Sequence, residues 1–316
     1  MPTKDNPGRV GAAQGHAHIS ICVCTFKRPE LLRALLAALT RQRTDSGFSF
    51  SIVVVDNDSS ESARSTVESC PSGHAQRIEY AVEPEQSIAL ARNRTVARAT
   101  GDLVAFIDDD EVPPDDWLLT LHRALLEFQA DGILGPVEPR FAPPPPQWVL
   151  KSGAFDRPNG AGFQTGKRLN WRQTGTGNVL IRRSVLQEVE GPFRRQFGSG
   201  GEDVDFFRRA MELGRVFIWC EEALVHETVP VERTRLSFQL KRALLRGKVS
   251  LAGPAGSALG ILKSVVACGV YTLILPVSWL LGRHLFARYL IRNCDHLGKL
   301  LALCRIDFVR QKYVMK

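Results

Sequence analysis

Four acidic side chains stand in a row, Asp108, Asp109, Asp110 and Glu111, directly behind the apolar stretch "LVAFI". Like charges this close repel and bury badly, so the run is either a solvated turn or a set of donors for a cation. If the strand continues through them, Asp108 and Asp110 point to one side and Asp109 to the other. Two hard carboxylates with room for water and phosphate oxygens suit Mg2+ or Mn2+. A divalent ion bridging a diphosphate would neutralise charge that builds on a leaving group. Further along, Glu202 and Asp203 open a Gly-led helical run. The helix dipole stabilises carboxylates there, so an N-terminal cap explains them as well as a general base does. His226 follows a strand-like run, where a lone histidine can be structural or a ligand.

These residues need strand ends and helix starts to hold them. Strands are expected over residues 18–26, 50–56, 76–82 and 102–110. Between and after them, helices are expected over 28–42, with Pro29 at a favoured first position, and over 59–70, 85–100 and 113–132, the last two ended by Gly101 and Gly132. Alternation at this pitch indicates βαβ units and the first half of an open α/β fold with a mostly parallel sheet. Ligands in such sheets sit outside the carboxyl ends of the strands. Thr25 and Arg28, then Asp56 and Asp58, then the acidic run all fall at that edge. Beyond a proline-rich break at 141–148, residues 151–176 read as an irregular, substrate-facing segment. A strand is expected at 177–184, a helix at 200–214, and a last strand with its loop at 215–227.

Composition bounds the surroundings. Of 316 residues, 44% are apolar and 23% charged, which suits a globular α/β domain with an appendage. Seven cysteines without paired spacing fit a reducing compartment rather than a disulfide framework. The net charge of +8 is unevenly placed: residues 1–232 carry 26 basic against 31 acidic residues, and residues 233–316 carry 15 against 2. A basic tail can face nucleic acid or an anionic membrane. Its positive charges are interleaved with leucine rather than base-stacking aromatics, and no nucleic-acid recognition motif is present, so no nucleic acid is expected. Residues 1–17 lack the apolar core of a signal peptide and read as a disordered leader. Residues 264–282 are 19 uncharged positions, near the lower limit for spanning a bilayer, with Pro276 inside. Positive charge on both flanks gives no crossing direction. Arg288, Arg292, Asp295 and Lys299 then fall on one helical face, with leucines and Tyr289 around the rest, as in a helix lying in a membrane interface. Shallow attachment to the cytoplasmic face of the inner membrane is the expectation; a buried helical subdomain is the alternative.

Taken in order, "CVCTFKRPELL", "IVVVDNDSS", "EQSIALARN", "FIDDDEVPPDDWL", "GTGNVLIRRS", "GGEDVDFF" and "VHE" resemble the inverting family 2 glycosyltransferases of GT-A fold, over residues 19–228. The pattern looks most like the succinoglycan-type exopolysaccharide glucosyltransferases. The resemblance implies a Rossmann-like central sheet flanked by helices over residues 18–230 and a helical membrane-associating region over 231–316. It implies that Asp56 holds the nucleotide base with Thr25 and Arg28 nearby, that Arg92 reaches the diphosphate or base, and that Asp108 contacts the ribose or donor sugar. Asp110 and His226 would hold the metal, Asp203 would be the general base, and Glu202 would orient the acceptor or base. Asn57 and Asp58 depart from the family's usual run, which leaves Asp56 as the position carried over. Gln239 and Arg242 keep the spacing of a run found in processive synthases, but Ala243 replaces its tryptophan, in keeping with addition of one sugar. The reaction implied is transfer of glucose from a UDP-sugar donor to a lipid-diphosphate-linked oligosaccharide. Two other classes use some of the same features: a metal-dependent nucleotidyltransferase acting on sugar phosphates, and a basic nucleic-acid-binding protein.

Overall fold

The computed structural model describes residues 16–156, 162–251 and 256–306. The leader expected over 1–17 lies outside them except for His16 and Ala17, and Ala17 already opens a strand. That strand, β1 (Ala17–Thr25), pairs in parallel with β2 (Phe48–Asp56), from Ala17 opposite Phe48 to Thr25 opposite Asp56. Thr25 and Asp56 therefore end level at one edge. β3 (Ile78–Val82) lies outside β2, and β4 (Leu103–Ile107) lies on the other side of β1, both parallel. Next to β4, β8 (Asn178–Arg182) runs antiparallel, followed by β6 (Gly132–Leu134) and β9 (Phe217–Trp219). The order is β3-β2-β1-β4-β8-β6-β9, and β8 is the reversed strand.

The central strands are almost continuously apolar because helices cover both faces. Leucines of α1 (Pro29–Leu39) and α4 (Trp117–Glu127) pack with Ile19, Ile21, Ile52 and Val54 on one face. On the other face, α3 (Ile88–Arg98), α6 (Arg183–Glu188) and α7 (Glu202–Glu212) pack through Ala89, Val185, Leu186, Phe206 and Phe207.

Several expected elements are shorter or divided. α2 (Arg64–Glu68) covers only part of 59–70, because the chain before it is held as a loop. Asp56 accepts the backbone N–H groups of Asp58 and Ala63, and Asp58 accepts that of Ser60. Short acidic side chains compete in this way with helical bonding. α4 ends at Glu127, and Gly132 opens β6 instead of closing the helix. β4 stops at Ile107, and the acidic run turns, with the N–H of Glu111 donating to the carbonyl of Asp108 at 3.1 Å. Residues 215–227 divide between β9 and β10 (Val225–Val229), so His226 lies inside a strand. β10 sits in a second, three-stranded sheet between β5 (Glu111–Val112) and β7 (Val137–Phe141). That small sheet holds the end of the acidic run against the last strand.

Beyond β10, α8 (Leu236–Ser250), α9 (Ala258–Leu281) and α10 (Arg283–Leu303) form a helical layer, which α10 joins to α5 (Gln147–Ser152). α8 and α10 cross backbone to backbone. A Cβ on Gly247 would lie 2.0 Å from the carbonyl oxygen of Asp295, and one on Gly298 would lie 2.2 Å from that of Leu244. The polar face of α10 is turned inward, contrary to the interfacial-helix expectation. Arg288 donates to the carbonyls of Ser152 and Lys151 at 2.9 and 2.8 Å, Asp295 takes both nitrogens offered by Arg246 at 3.0 Å, and Lys299 is 7% exposed. Of the four residues on that face, only Arg292 is fully exposed. The outward apolar surface belongs to α9, where Leu273 is 79% and Leu280 85% exposed. Its 24 residues, with a mean hydropathy of 2.0 across the most apolar stretch, make it long and apolar enough to cross a membrane. At the usual rise it measures roughly 36 Å.

Candidate active site

The carboxyl edge of β1 and β4 is an ion-pair network. Asp109 accepts the Thr25 hydroxyl at 2.8 Å and an Arg28 nitrogen at 3.0 Å, and the same nitrogen reaches Asp110 at 3.1 Å. Asp110 also pairs with Arg233 at 2.9 Å, and Arg233 donates to Glu227 of β10 at 2.8 Å. Because the strand ends before the acidic run, alternation does not apply, and Asp109 and Asp110 rather than Asp108 and Asp110 share a partner. Burial, with Arg28 opposing it and Asp110 adding to it, pushes the Asp109 carboxyl up to about 6. Thr25 and Arg28 thus stand at the expected edge and brace this turn.

Arg92, from α3, bridges two carboxylates far apart in sequence. It donates to Asp108 at 3.2 Å and to Glu202 at the start of α7. Asp108 keeps 44% of its side chain exposed, whereas Glu202 is 2% exposed and its second oxygen has no hydrogen-bond partner among the described residues. A buried carboxylate oxygen left without a donor is costly, and a substrate hydroxyl would satisfy it. The Thr176 hydroxyl, 1% exposed, is also without a hydrogen-bond partner among the described residues.

Asp203 follows on α7, its Oδ1 accepting the N–H of Val204 at 2.7 Å. Gly200 and Gly201, at φ 123° and 86°, bring the chain into this helix through a conformation that residues with a Cβ rarely adopt. Two glycines before β8 link Asp203 to the acidic turn. A Cβ on Gly175 would sit 3.5 Å from the Asp203 carboxylate, and one on Gly177 would sit 2.6 Å from Glu111 and 3.4 Å from Asp108. Asp108 and Asp203 therefore flank one three-residue segment. Asp203 also lines a cavity of about 950 Å³, together with Trp171, Arg172 and Arg233 on the sheet side and α8, α9 and α10 on the other.

Two expected site residues are near this edge but engaged otherwise. Asp56 is fully buried, and both its oxygens are engaged within the chain, by the N–H groups of Asp58 and Ala63 and by the Tyr80 hydroxyl at 3.1 Å. Burial raises its pKa. It shapes the loop after β2 and presents no open carboxylate. Asn57 extends the same brace, accepting the Ser87 N–H at 2.8 Å and donating to the carbonyls of Glu83 and Glu85. His226 is the second. Side chains alternate along β10, so Glu227 meets Arg233 and the Asp110 cluster, while the imidazole lies beside Glu138 and Arg140 of β7. Its pKa is lowered by burial first and by Arg140 next, and its Nδ1 is buried without a hydrogen-bond partner among the described residues. Asp110 and His226 do not converge.

Among the described residues, no group of three or more His, Cys, Asp or Glu side chains could hold a metal. Mg2+ or Mn2+ in nucleotide sites needs only one or two carboxylates and takes its remaining oxygens from phosphate and water. Asp108 is the open carboxylate for such an ion, whereas Asp110 is 6% exposed and paired with Arg28 and Arg233, so it would join only by giving up an arginine. Sequence reasoning missed Asp109 as the hub of the network, Arg233 and Glu227 as its far side, and Thr176 between the glycines. Only Asp109 carried a signal, as part of the acidic run; the others are single residues without periodicity.

Residues 20–190 match the family described as Glycosyl transferase family 2. The chain is 36% identical over 235 residues to the succinoglycan biosynthesis protein ExoM of Rhizobium meliloti, spanning 73% of each. It is 26% identical to the glycosyltransferase AglE of Haloferax volcanii over 62% of each. Among solved structures it resembles the mannosyltransferase PcManGT from Pyrobaculum calidifontis in complex with GDP-Man and Mn2+, with TM-score 0.59, 18% identity and 93% and 90% of the two chains covered. It also resembles S. aureus TarS 1-349 in complex with UDP, with TM-score 0.53, 15% identity and 92% and 93% covered. The two structural likenesses bear out the α/β architecture of GT-A type expected from the motifs.

Proposed function

The chain belongs to glycosyl transferase family 2, and on that premise we propose that it moves one sugar, glucose from UDP-glucose, with inversion onto a lipid-diphosphate-linked oligosaccharide in exopolysaccharide biosynthesis. The observation that carries the reading is Asp203 at the wall of a large cavity, one glycine-flanked segment away from the Asp108–Asp110 turn. A donor at the strand edge meets Arg92 as its diphosphate-facing cation, Thr25 and Arg28 near the base, and Asp108 at the ribose or sugar. Asp108, with Asp110, would hold Mg2+ or Mn2+, which would supply neutralisation of the leaving group. The acceptor hydroxyl attacks the anomeric carbon from the cavity side as the bond to the diphosphate oxygen breaks, and its electron pair leaves with UDP. Asp203 takes the hydroxyl proton, so a single displacement inverts the centre. Glu202, fixed by Arg92, offers its unpartnered oxygen to the acceptor.

The relatives' names support parts of this reading: one takes part in succinoglycan biosynthesis, TarS was solved with UDP and UDP-GlcNAc, and PcManGT with GDP-Man and Mn2+. The exposed apolar α9 supports attachment of the region from residue 231 onward to the cytoplasmic face of the inner membrane. The decisive assay supplies UDP-glucose, UDP-GlcNAc and GDP-mannose, with and without Mn2+, plus a membrane lipid extract as acceptor. UDP release that needs Mn2+ and the extract is expected. Pyrophosphate release from UTP and glucose 1-phosphate, supplied in a parallel reaction, without UDP release from the nucleotide sugars would identify a nucleotidyltransferase and overturn the proposal.

A further inference from the structure

We propose that the helical wall of the same cavity is a diphosphate-binding subsite for the acceptor, centred on Lys299 and Lys263; this rests on the glycosyltransferase reading above. The cations around the cavity are not equivalent. Arg208 is spent on Asp205 and Glu212, Arg233 on Asp110 and Glu227, and Arg246 on both oxygens of Asp295. Lys299 on α10 and Lys263 on α9 line the cavity and make no hydrogen bond or ion pair among the described residues. Lys299 is 7% exposed, and Asp295, one turn before it, is already held by Arg246. The Lys299 stem is buried while its ammonium opens on the cavity, and its nearest carboxylate, Asp295, is shared with Arg246, which leaves the ammonium able to take a further anion.

The carboxylates on the lining are few. Asp205 is engaged by Arg208 and Arg209, which leaves Asp203 at the opposite, sheet-side wall. One cavity thus carries a candidate base at one wall and, at the other, two ammonium groups with no direct ion pair among the described residues. Ammonium groups are compact point charges suited to phosphate oxygens. A volume of about 950 Å³ has room for a sugar together with a diphosphate. Leu259 and Gly260 of α9 line the same cavity, and the helix continues outward through exposed Leu262, Val266 and Leu273. A hydrocarbon chain attached to the diphosphate would leave along this apolar surface. The ligand class is accordingly a diphosphate carrying a long alkyl or prenyl chain, distinct from the nucleotide diphosphate at the strand edge.

The test uses the full chain in neutral detergent, saturated with UDP so that the donor edge is blocked, and farnesyl diphosphate as probe. Wild type should bind it. Lys299→Met and Lys263→Ala should each weaken binding at least tenfold, Lys299→Arg should restore most of it, and UDP affinity should stay within twofold throughout. Lys263 is exposed, so its variant reports even if Lys299→Met fails to fold. Absence of farnesyl diphosphate binding by wild type, or equal binding by the double variant, would overturn the subsite. So would Lys299-dependent binding to phosphatidylglycerol vesicles without farnesyl diphosphate binding, which would make it a phospholipid headgroup site. UDP affinity read on the same samples tests the donor site separately: its absence in wild type would sink the UDP-sugar reading whatever the probe shows.

Discussion

At Arg92 one guanidinium holds together Asp108 and Glu202, and the two carboxylates answer its loss differently. Asp108 is half-exposed and can turn to water, whereas Glu202 is buried and cannot. Arg92→Leu should therefore destabilise the fold by about 3–5 kcal/mol, the usual result of stranding one member of a buried pair. Arg92→Leu/Glu202→Leu should recover most of that loss in denaturant titrations. A single-variant loss under about 1 kcal/mol would mean that Glu202 finds water or is protonated. Asp203 sits beside this pair but faces the cavity. Asp203→Asn should lower turnover about 10²–10⁴-fold, the usual contribution of a positioned base, with UDP affinity unchanged. Loss of UDP affinity in that variant would remove Asp203 from the role of base. The acidic run was legible in the sequence as a cluster at a strand end. Which of its members share a partner was not, because that depends on β4 stopping at Ile107 and on Arg28 and Arg233 arriving from elsewhere.

Among the elements, α8 and α10 depend on two glycines. Any side chain at Gly298 meets the carbonyl of Leu244 within the helix crossing, so backbone must move. Gly298→Ala should cost about 1–3 kcal/mol, the range for overpacking a fitted contact, and should raise proteolysis between α8 and α9. Unchanged proteolysis and melting would mean that the helices separate without penalty. The same pair of helices explains why α10 departs from an interfacial helix. Its periodicity correctly announced a polar face, but a polar face can meet water or other polar groups of the protein. Here Ser152 and Lys151 offer carbonyls to Arg288, and Arg246 meets Asp295. The shortened α2 has a related cause, since Asp56 and Asp58 bind backbone N–H groups that a longer helix would have used. The break between β9 and β10 is marked by exposed Glu221 and Glu222, but nothing local shows that the two pieces enter different sheets.

At the scale of the molecule, the charge and apolar surfaces of the C-terminal region act together. Leu273, Trp279 and Leu280 of α9 are 79%, 64% and 85% exposed, and none lies in the described core clusters. Replacing all three by serine should greatly reduce co-sedimentation with vesicles containing phosphatidylglycerol and leave the melting temperature unchanged. Undiminished sedimentation would mean that basic residues alone hold the surface; a lower melting temperature would mean that α9 is covered by protein. The sequence by itself determined the alternating α/β plan, the binding edge of the sheet, the motifs and their resemblance, and the apolar stretch that became α9. Each of these is written in local periodicity or in runs of neighbouring residues, and local backbone preferences read them directly. Only the tertiary structure decided that Asp56 is sealed inside its loop, that Asp110 faces Arg233 while His226 faces β7, and that Lys299 borders the cavity of Asp203. Those outcomes depend on which distant side chains reach the same few ångströms, and charge pairing and burial are settled there.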